Sequence, residues 1–230
     1  MLERGSGTAT DLTDYTLSSI EIHIPAGSLN GSVTLASVSD SLHEKNETVI
    51  LDIIQADNAT EATPQQQIVT IIDDDLAPIV SLSVDRVTIH ETATAGTDAA
   101  IVTATLSTLS GLPVTVNLAA TGVAVRTKDY TVSGMTIFIP GGSLSGGILV
   151  SSIADVLNEE DETIIISISD IVEGRMGTPT SQTISITDDD PLPSLTLSVG
   201  TMTIAESGGS TTVTATLDAL SGRNVTVILK

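Results

Sequence analysis

The residues of this chain that could do chemistry are its carboxylates. Two runs of three aspartates, Asp73-Asp74-Asp75 and Asp188-Asp189-Asp190, each close an alternating stretch, QIVTII before the first and QTISIT before the second. Each is followed by a proline and a new alternating stretch, PIVSLSV or PSLTLSV. Adjacent carboxylates repel one another: two charges about 4 Å apart interact by roughly 1 kcal/mol in water and by more near protein. A hard cation that takes 6–8 oxygen ligands relieves such a cluster. Calcium fits an all-carboxylate set better than magnesium, which wants fewer ligands in tight octahedral geometry, or zinc, which wants His or Cys.

The elements that must position these carboxylates are strands. The chain has 230 residues, 40% of them hydrophobic, and Val, Ile and Leu alternate with Thr and Ser. β-Branched alternation suits a pleated, half-buried surface. Aromatic residues make up 1%, so the core is expected to be aliphatic. Twenty-nine acidic residues against 8 basic give a formal charge of −21. Nucleic acid is excluded as a partner, because phosphates need Lys and Arg. The balance fits a solvated acidic protein or one that collects cations. With no cysteine, disulfides, thiol catalysis and zinc–thiolate sites are excluded. No apolar run is long enough to span a membrane, and the N-terminus lacks the apolar core of a signal peptide.

Internal repetition organises the chain. The DYT at Asp14 recurs at Asp129, and the IxIPxGSLxG at Ile22 recurs at Ile137, both at a spacing of 115 residues. At the same spacing Asp40 maps to Asp155, Glu47 to Glu162, Asp73 to Asp188 and Glu91 to Glu206. The register then slips to 111, as four residues are lost from the loop TATAGTDAA; TATL at Thr103 recurs at Thr214, and Ser110-Gly111 matches Ser221-Gly222. We read residues 1–76 as the back part of one repeat, 77–190 as a complete repeat and 191–230 as the front part of a further one. The chain thus reads as a piece of a longer array. In the complete repeat, alternation and turn signals predict strands over 79–84, 86–91, 99–107, 113–119, 130–140, 147–155, 162–170 and 182–188. The expected fold is all-β: tandem immunoglobulin-like antiparallel β-sandwiches.

On this map the carboxylates stand at strand ends and turns. Glu91 ends the second strand segment, Asp129 precedes Tyr130, Asp155 ends a strand, Glu159 to Glu162 fill the next turn, and Asp188, Asp189 and Asp190 close the last strand. If these ends share one pole of the sandwich, six to eight carboxylates converge there.

The DYT elements, the IPGGSLSG turn, the DVLNEEDET segment and the closing DDD resemble the Calx-β domain. That repeat is named after the calcium-binding domains of sodium–calcium exchangers and is also found in integrin β4 and in large bacterial surface proteins. The resemblance covers essentially the whole chain. It implies calcium ligands at Glu91, Asp129, Asp155, Glu159, Glu162, Asp188, Asp189 and Asp190. In the first copy it implies Asp14, Asp40, Glu44, Glu47, Asp73, Asp74 and Asp75, and in the third it leaves only Glu206. Calcium-rich members carry two or three aspartates where this chain has Val38-Ser39-Asp40 and Ile153-Ala154-Asp155, which implies fewer ions or weaker binding. Lys45-Asn46 in the first copy stands where the second has Glu160-Asp161, so these positions are expected to face solvent.

The remaining chemistry-bearing residues point nowhere else. His23, His43 and His90 are expected to be neither ligands nor bases, and no Ser-His-Asp spacing, phosphate loop or HExxH is present. Tyr15 and Tyr130 are expected in the core or at a corner of the sandwich. The sequons at Asn30, Asn46, Asn58 and Asn224 arise readily by chance in polar β-repeats. The expectation is a non-enzymatic, calcium-binding structural repeat of a large extracellular or cell-surface protein, with calcium stiffening the junctions between neighbouring repeats of the chain. Other surface proteins or glycans are the further partners this reading admits. Two alternatives are a regulatory calcium sensor of a membrane transporter and an adhesive ligand-binding repeat.

Overall fold

The computed structural model describes residues 2–3, 7–63, 65–91 and 98–230. Among them all regular structure is strand. The loop in which the repeat register slips falls largely at 92–97, outside the described residues. The chain forms two compact units. The first comprises Met1–Pro78 with the loops Thr108–Pro113 and Pro140–Ser143; the second comprises the rest.

In the first unit, β1 (Leu2–Glu3), β4 (Glu47–Ile53) and β5 (Gln67–Ile71) form a sheet in the order β1-β4-β5, and β2 (Tyr15–Leu17) pairs with β3 (Leu35–Ser37). Tyr15 and Val49 are among its buried side chains.

The second unit carries a two-layer sandwich. Its strands are β6 (Ile79–Val84), β7 (Thr88–His90), β8 (Ala99–Leu106), β9 (Val114–Gly122), β10 (Tyr130–Val132), β11 (Thr136–Ile139), β12 (Ser145–Ser152), β13 (Glu162–Val172), β14 (Arg175–Met176) and β15 (Ser181–Thr187). One sheet has the order β10-β12-β8-β6-β14, the other β11-β9-β13-β15-β7. Strict alternation builds the layers. In β8, Ala100, Val102, Ala104 and Leu106 are buried while Ala99, Ile101, Thr103 and Thr105 are not. They meet Val114, Val116, Ile164, Ile166 and Ile184 of the facing sheet in one aliphatic core, to which Tyr130 adds its ring. The same unit also carries the hairpin of β16 (Leu195–Val199) and β17 (Val213–Leu217).

Two local features depart from the expected plain antiparallel strands. The stretch 130–140 breaks into two strands that join different sheets: β10 pairs with β12, β11 with β9. The break falls at Ser133-Gly134, where the Ser133 hydroxyl accepts the Leu149 N–H at 2.9 Å and the Leu118 N–H turns to the Met135 carbonyl, also at 2.9 Å. The stretches 79–84 and 86–91, expected as two strands, form β6 and a shorter β7 that join different sheets. Because the chain keeps its direction as it crosses, β7 lies parallel to β15 while β6 is antiparallel to β8. A second parallel edge is made by β14 against β6. Each half keeps period two, but the buried positions change parity across the break, from Val80 and Leu82 to Ile89 and from Tyr130 to Ile137 and Ile139. The PGGSLSG turn closes with Ser143 N–H on the Pro140 carbonyl, and Gly142 takes a φ of 78° that an L side chain would strain. Its repeat mate Gly27 has a φ of 81°.

Candidate metal centre

Register brings the acidic residues of the complete repeat to one pole. β13 starts at Glu162 opposite Ile186, so it begins where β15 ends, next to Asp188. β7 runs parallel to β15, so Glu91 emerges at that same end, its N–H on the Thr187 carbonyl at 3.0 Å. In the other sheet β10 begins at Tyr130 opposite Ser152, placing Asp129 beside the exit of β12. The Ile153 N–H closes on the Asp129 carbonyl at 2.9 Å. Ser152 ties the two sheets there, donating its hydroxyl to the His90 carbonyl at 2.7 Å.

Local hydrogen bonds then fix one oxygen of several carboxylates. Asp129 Oδ2 accepts the Val125 N–H, and Asp155 Oδ1 accepts the Leu157 N–H at 2.7 Å in an Asx turn. Asp188 Oδ2 accepts from Asn158 Nδ2 at 3.0 Å, and the same amide donates to the Asp190 carbonyl at 2.7 Å. The buried atoms Asp188 Oδ1, Asp190 Oδ2 and Asn158 Oδ1 have no hydrogen-bond partner. Leaving such atoms unsatisfied costs about 1–3 kcal/mol each, more for charged groups. Partnerless buried oxygens on residues beside a cluster of carboxylates are the donor type that an all-oxygen cation site uses.

The electrostatics agree. Glu91 is buried, and desolvation, reinforced by the charges of Asp155, Glu159, Asp188 and Asp129, pushes its carboxyl up to about 7. Glu162 is also raised to about 7, by burial first and then by a hydrogen bond with Asp129 and the charges of Asp129 and Glu159. Glu159 and Asp190 are raised by burial and then by neighbouring carboxylates. Lys128 tempers the rise at Glu159 without reversing it. Desolvation and neighbouring like charge both favour the protonated form of a carboxyl.

The first unit repeats this pole. Asp14, Glu44 and Glu47 bring ligand oxygens within 4.8 Å of one another, the one such set of three among the described residues. They line a depression of about 630 Å³ with Asp40, Asp73, Asp74 and Asp75. Glu44 and Glu47 are raised by burial first and then by neighbouring acids, Asp14 among them. The local bonds recur too: Asp40 Oδ1 accepts the Leu42 N–H at 2.8 Å, and the Val38 N–H reaches the Asp14 carbonyl at 2.9 Å. At the position of Asn158 stands His43, whose Nδ1 lies 3.2 Å from both Asp73 Oδ2 and the Asp75 carbonyl.

The sequence profile of the Calx-beta domain matches residues 1–75 and 73–190. The chain belongs to the Calx-beta domain family. Among solved structures, the apo-form Calx CBD1 domain is similar over 48% of this chain and 98% of its own, at 21% identity and a TM-score of 0.40. The CBD12 structure from CALX1.2 is similar over 48% of this chain and 46% of its own, at 20% identity and a TM-score of 0.41. WR4, a C. elegans MSP family member, covers 46% of this chain at 13% identity and a TM-score of 0.30. No curated protein sequence matches the chain.

Within the Calx-beta repeats, the residues expected from the sequence divide by placement. Glu91, Asp129, Asp155, Glu159, Glu162, Asp188 and Asp190 converge electrostatically at one pole, as do Asp14, Asp40, Glu44, Glu47, Asp73 and Asp75 at the other. The middle aspartates, Asp74 and Asp189, are exposed, because period-two alternation turns them away from their half-buried neighbours. They contribute charge from outside: Asp189 raises Asp190, and Asp74 raises Asp75. Asp161 and Asn46 are exposed as expected but not idle; each offers a side-chain oxygen to the N–H of the first closing aspartate, Asp188 at 3.3 Å and Asp73 at 3.1 Å. His43 and Asn158 are the residues that sequence reasoning missed. The signal was there at the repeat spacing: two side chains of unlike appearance that can both donate a hydrogen bond. His23 and Phe138, also matched by the repeat, are both exposed; Phe138 lies in β11, whereas His23 lies outside any strand.

Proposed function

We propose that this chain is a non-enzymatic calcium-binding module of a large extracellular or cell-surface protein, in which calcium neutralises each acidic pole and stiffens the junction with the next repeat. Glu91, Asp129, Asp155, Glu159, Glu162, Asp188 and Asp190 would hold the ion in the complete repeat. Asp14, Asp40, Glu44, Glu47, Asp73 and Asp75 would do so in the first. The observation that carries the reading is the set of buried, partnerless oxygens on Asn158, Asp188 and Asp190 amid carboxylates held above their ordinary range. Oxygen-only donors with no thiolate are the donor chemistry of calcium. When bound, the ion supplies positive charge and coordination to the loops around each pole. The residues themselves orient those oxygens through the Asx turns and the His43 or Asn158 bonds. The proline-bearing linkers LAP and PLP agree with limited hinge freedom.

The test is thermal unfolding of the chelator-treated protein with and without calcium, with magnesium as a control. A ligand at a hundred times its Kd stabilises by about 2.7 kcal/mol. A calcium-specific rise in Tm supports the reading, and unchanged melting in millimolar calcium refutes it. Supporting the rod over a transporter sensor requires a further result: the flanking gene sequence should show more repeats behind a secretion signal and no transmembrane exchanger segments.

A further inference from the structure

Each acidic pole is touched by a loop that the repeat register assigns to the following repeat. In the first unit this loop is Thr108–Pro113, which packs with Met1–Pro78. The Gly111 N–H donates to the His43 carbonyl at 3.0 Å, and the buried Ser110 hydroxyl reaches the same carbonyl at 3.3 Å. In the second unit the Gly222 N–H donates to the Asn158 carbonyl at 3.1 Å. Ser110 Oγ accepts the Leu112 N–H, and Ser221 Oγ accepts the Arg223 N–H, both at 3.1 Å. The two loops, LSGLP and LSGRN, share only Leu-Ser-Gly, yet the glycine N–H bond and the serine Oγ bond recur in both.

The glycines meet the poles directly. A Cβ on Gly111 would lie 2.6 Å from Glu44 Oε1 and 2.8 Å from its Cγ. A Cβ on Gly222 would lie 2.4 Å from Glu159 Cγ and 2.5 Å from its Oε1. Neither glycine has a positive φ, so backbone freedom does not explain them; closeness to the glutamate does. The residue that takes the glycine N–H, His43 or Asn158, also holds the first and third closing aspartates through its side chain. Loop, glutamate and aspartates therefore form one connected unit.

We propose that the Ser-Gly loop of each following repeat is a working part of the preceding pole: Gly111 seats Glu44, and Gly222 seats Glu159, in the position from which the carboxylate meets a divalent cation. This rests on the reading that the poles bind calcium. The glycines are positioning residues. A methyl group on either must displace something, and the mobile end is the glutamate, so the fold survives while the ligand geometry does not. At the second pole Arg223 adds a grip, donating to the Glu159 carbonyl and pairing with Glu160 Oε1 at 3.1 Å.

The experiment is calcium titration calorimetry on the full chain, with each pole read alone by silencing the other (Asp73→Asn with Asp75→Asn, or Asp188→Asn with Asp190→Asn). Gly222→Ala should weaken the second pole by about tenfold or more, in line with the effect of removing supports behind metal ligands, and leave the first unchanged. Gly111→Ala should do the converse. Gly134→Ala, whose Cβ meets nothing nearer than 3.7 Å, should alter neither. Apo melting temperatures of the three should match the parent. Binding unchanged in Gly111→Ala and Gly222→Ala, or weakened equally at both poles, overturns the proposal while leaving calcium binding intact. No calcium uptake by the parent overturns both. Hydrogen exchange on the unaltered chain keeps the test decisive even if a variant does not fold: calcium should slow the Gly111 and Gly222 amides, and unaltered exchange there contradicts the loop's role.

Discussion

Replacing Glu91 with glutamine should make the calcium-free protein more stable and the calcium-loaded protein less so. Glu91 is 7% exposed at the end of β7, among Asp129, Asp155, Glu159 and Asp188. Its carboxyl is raised from 4.5 to about 7. At about 1.4 kcal/mol per tenfold change in protonation, ionising it at pH 8 opposes folding by about 3 kcal/mol. A raised carboxylate destabilises the fold only when charged, so the penalty is absent below about pH 4.5, grows through about pH 4.5–7 and is complete above. Glutamine keeps the shape and drops the charge. For a domain of this size about 3 kcal/mol corresponds to a Tm rise of roughly 10 °C. Differential scanning calorimetry of both proteins in chelator at pH 8 and pH 4.5 measures it, and a second pair of scans in calcium completes the cycle. The expected pattern is a higher Tm for Glu91→Gln at pH 8 without calcium, a vanishing difference at pH 4.5, and a smaller calcium-induced rise. A variant that melts at or below the parent at pH 8 in chelator would show that Glu91 is not under electrostatic stress.

Other outcomes follow from the same contacts. The chelated parent should lose stability as pH rises through about 4.5–7, because Glu91 and Glu162 both carry raised carboxyls, and calcium should flatten that loss; melting curves across pH read both. Asn158→Ala removes two hydrogen bonds, to Asp188 and the Asp190 carbonyl, and should lower stability by about 2 kcal/mol in urea titrations, with weaker calcium binding as well. Ile164→Ala opens a cavity in the fully buried core and should cost about 3 kcal/mol, equally with and without calcium, since it lies in the sandwich and touches no ligand.

Much of this was legible in the chain. The 115-residue spacing exposed the repeats, and alternation located β8, β12, β13 and β15 to within a few residues because each has one buried face. Strand ends also told where the carboxylates fall. The sheet crossings at Asp85–Val87 and Ser133-Gly134 shift the buried positions from even to odd numbers, from Val80 and Leu82 to Ile89 and from Tyr130 to Ile137 and Ile139, a phase change that matching each stretch to period two does not register. Convergence of the pole depends on those crossings, since Glu91 reaches it only by way of β7 against β15. The exposed placement of Asp74 and Asp189 follows from the same alternation, which continues past the strand ends at Ile71 and Thr187. His43 and Asn158 stayed hidden because their part is to hold the closing aspartates by hydrogen bonds, and a histidine and an asparagine do that without looking alike. The seats at Gly111 and Gly222 are contacts between distant loops, which spacing along the chain does not encode.

The central claim, that these poles bind calcium in place of protons, is met most directly by calorimetric titration of calcium into the chelator-stripped chain at pH 7, repeated in two buffers of different ionisation enthalpy. The account predicts saturable binding with heats that differ between the buffers, as Glu91 and Glu162 release protons to the solvent. A titration with no saturable heat in either buffer would contradict it.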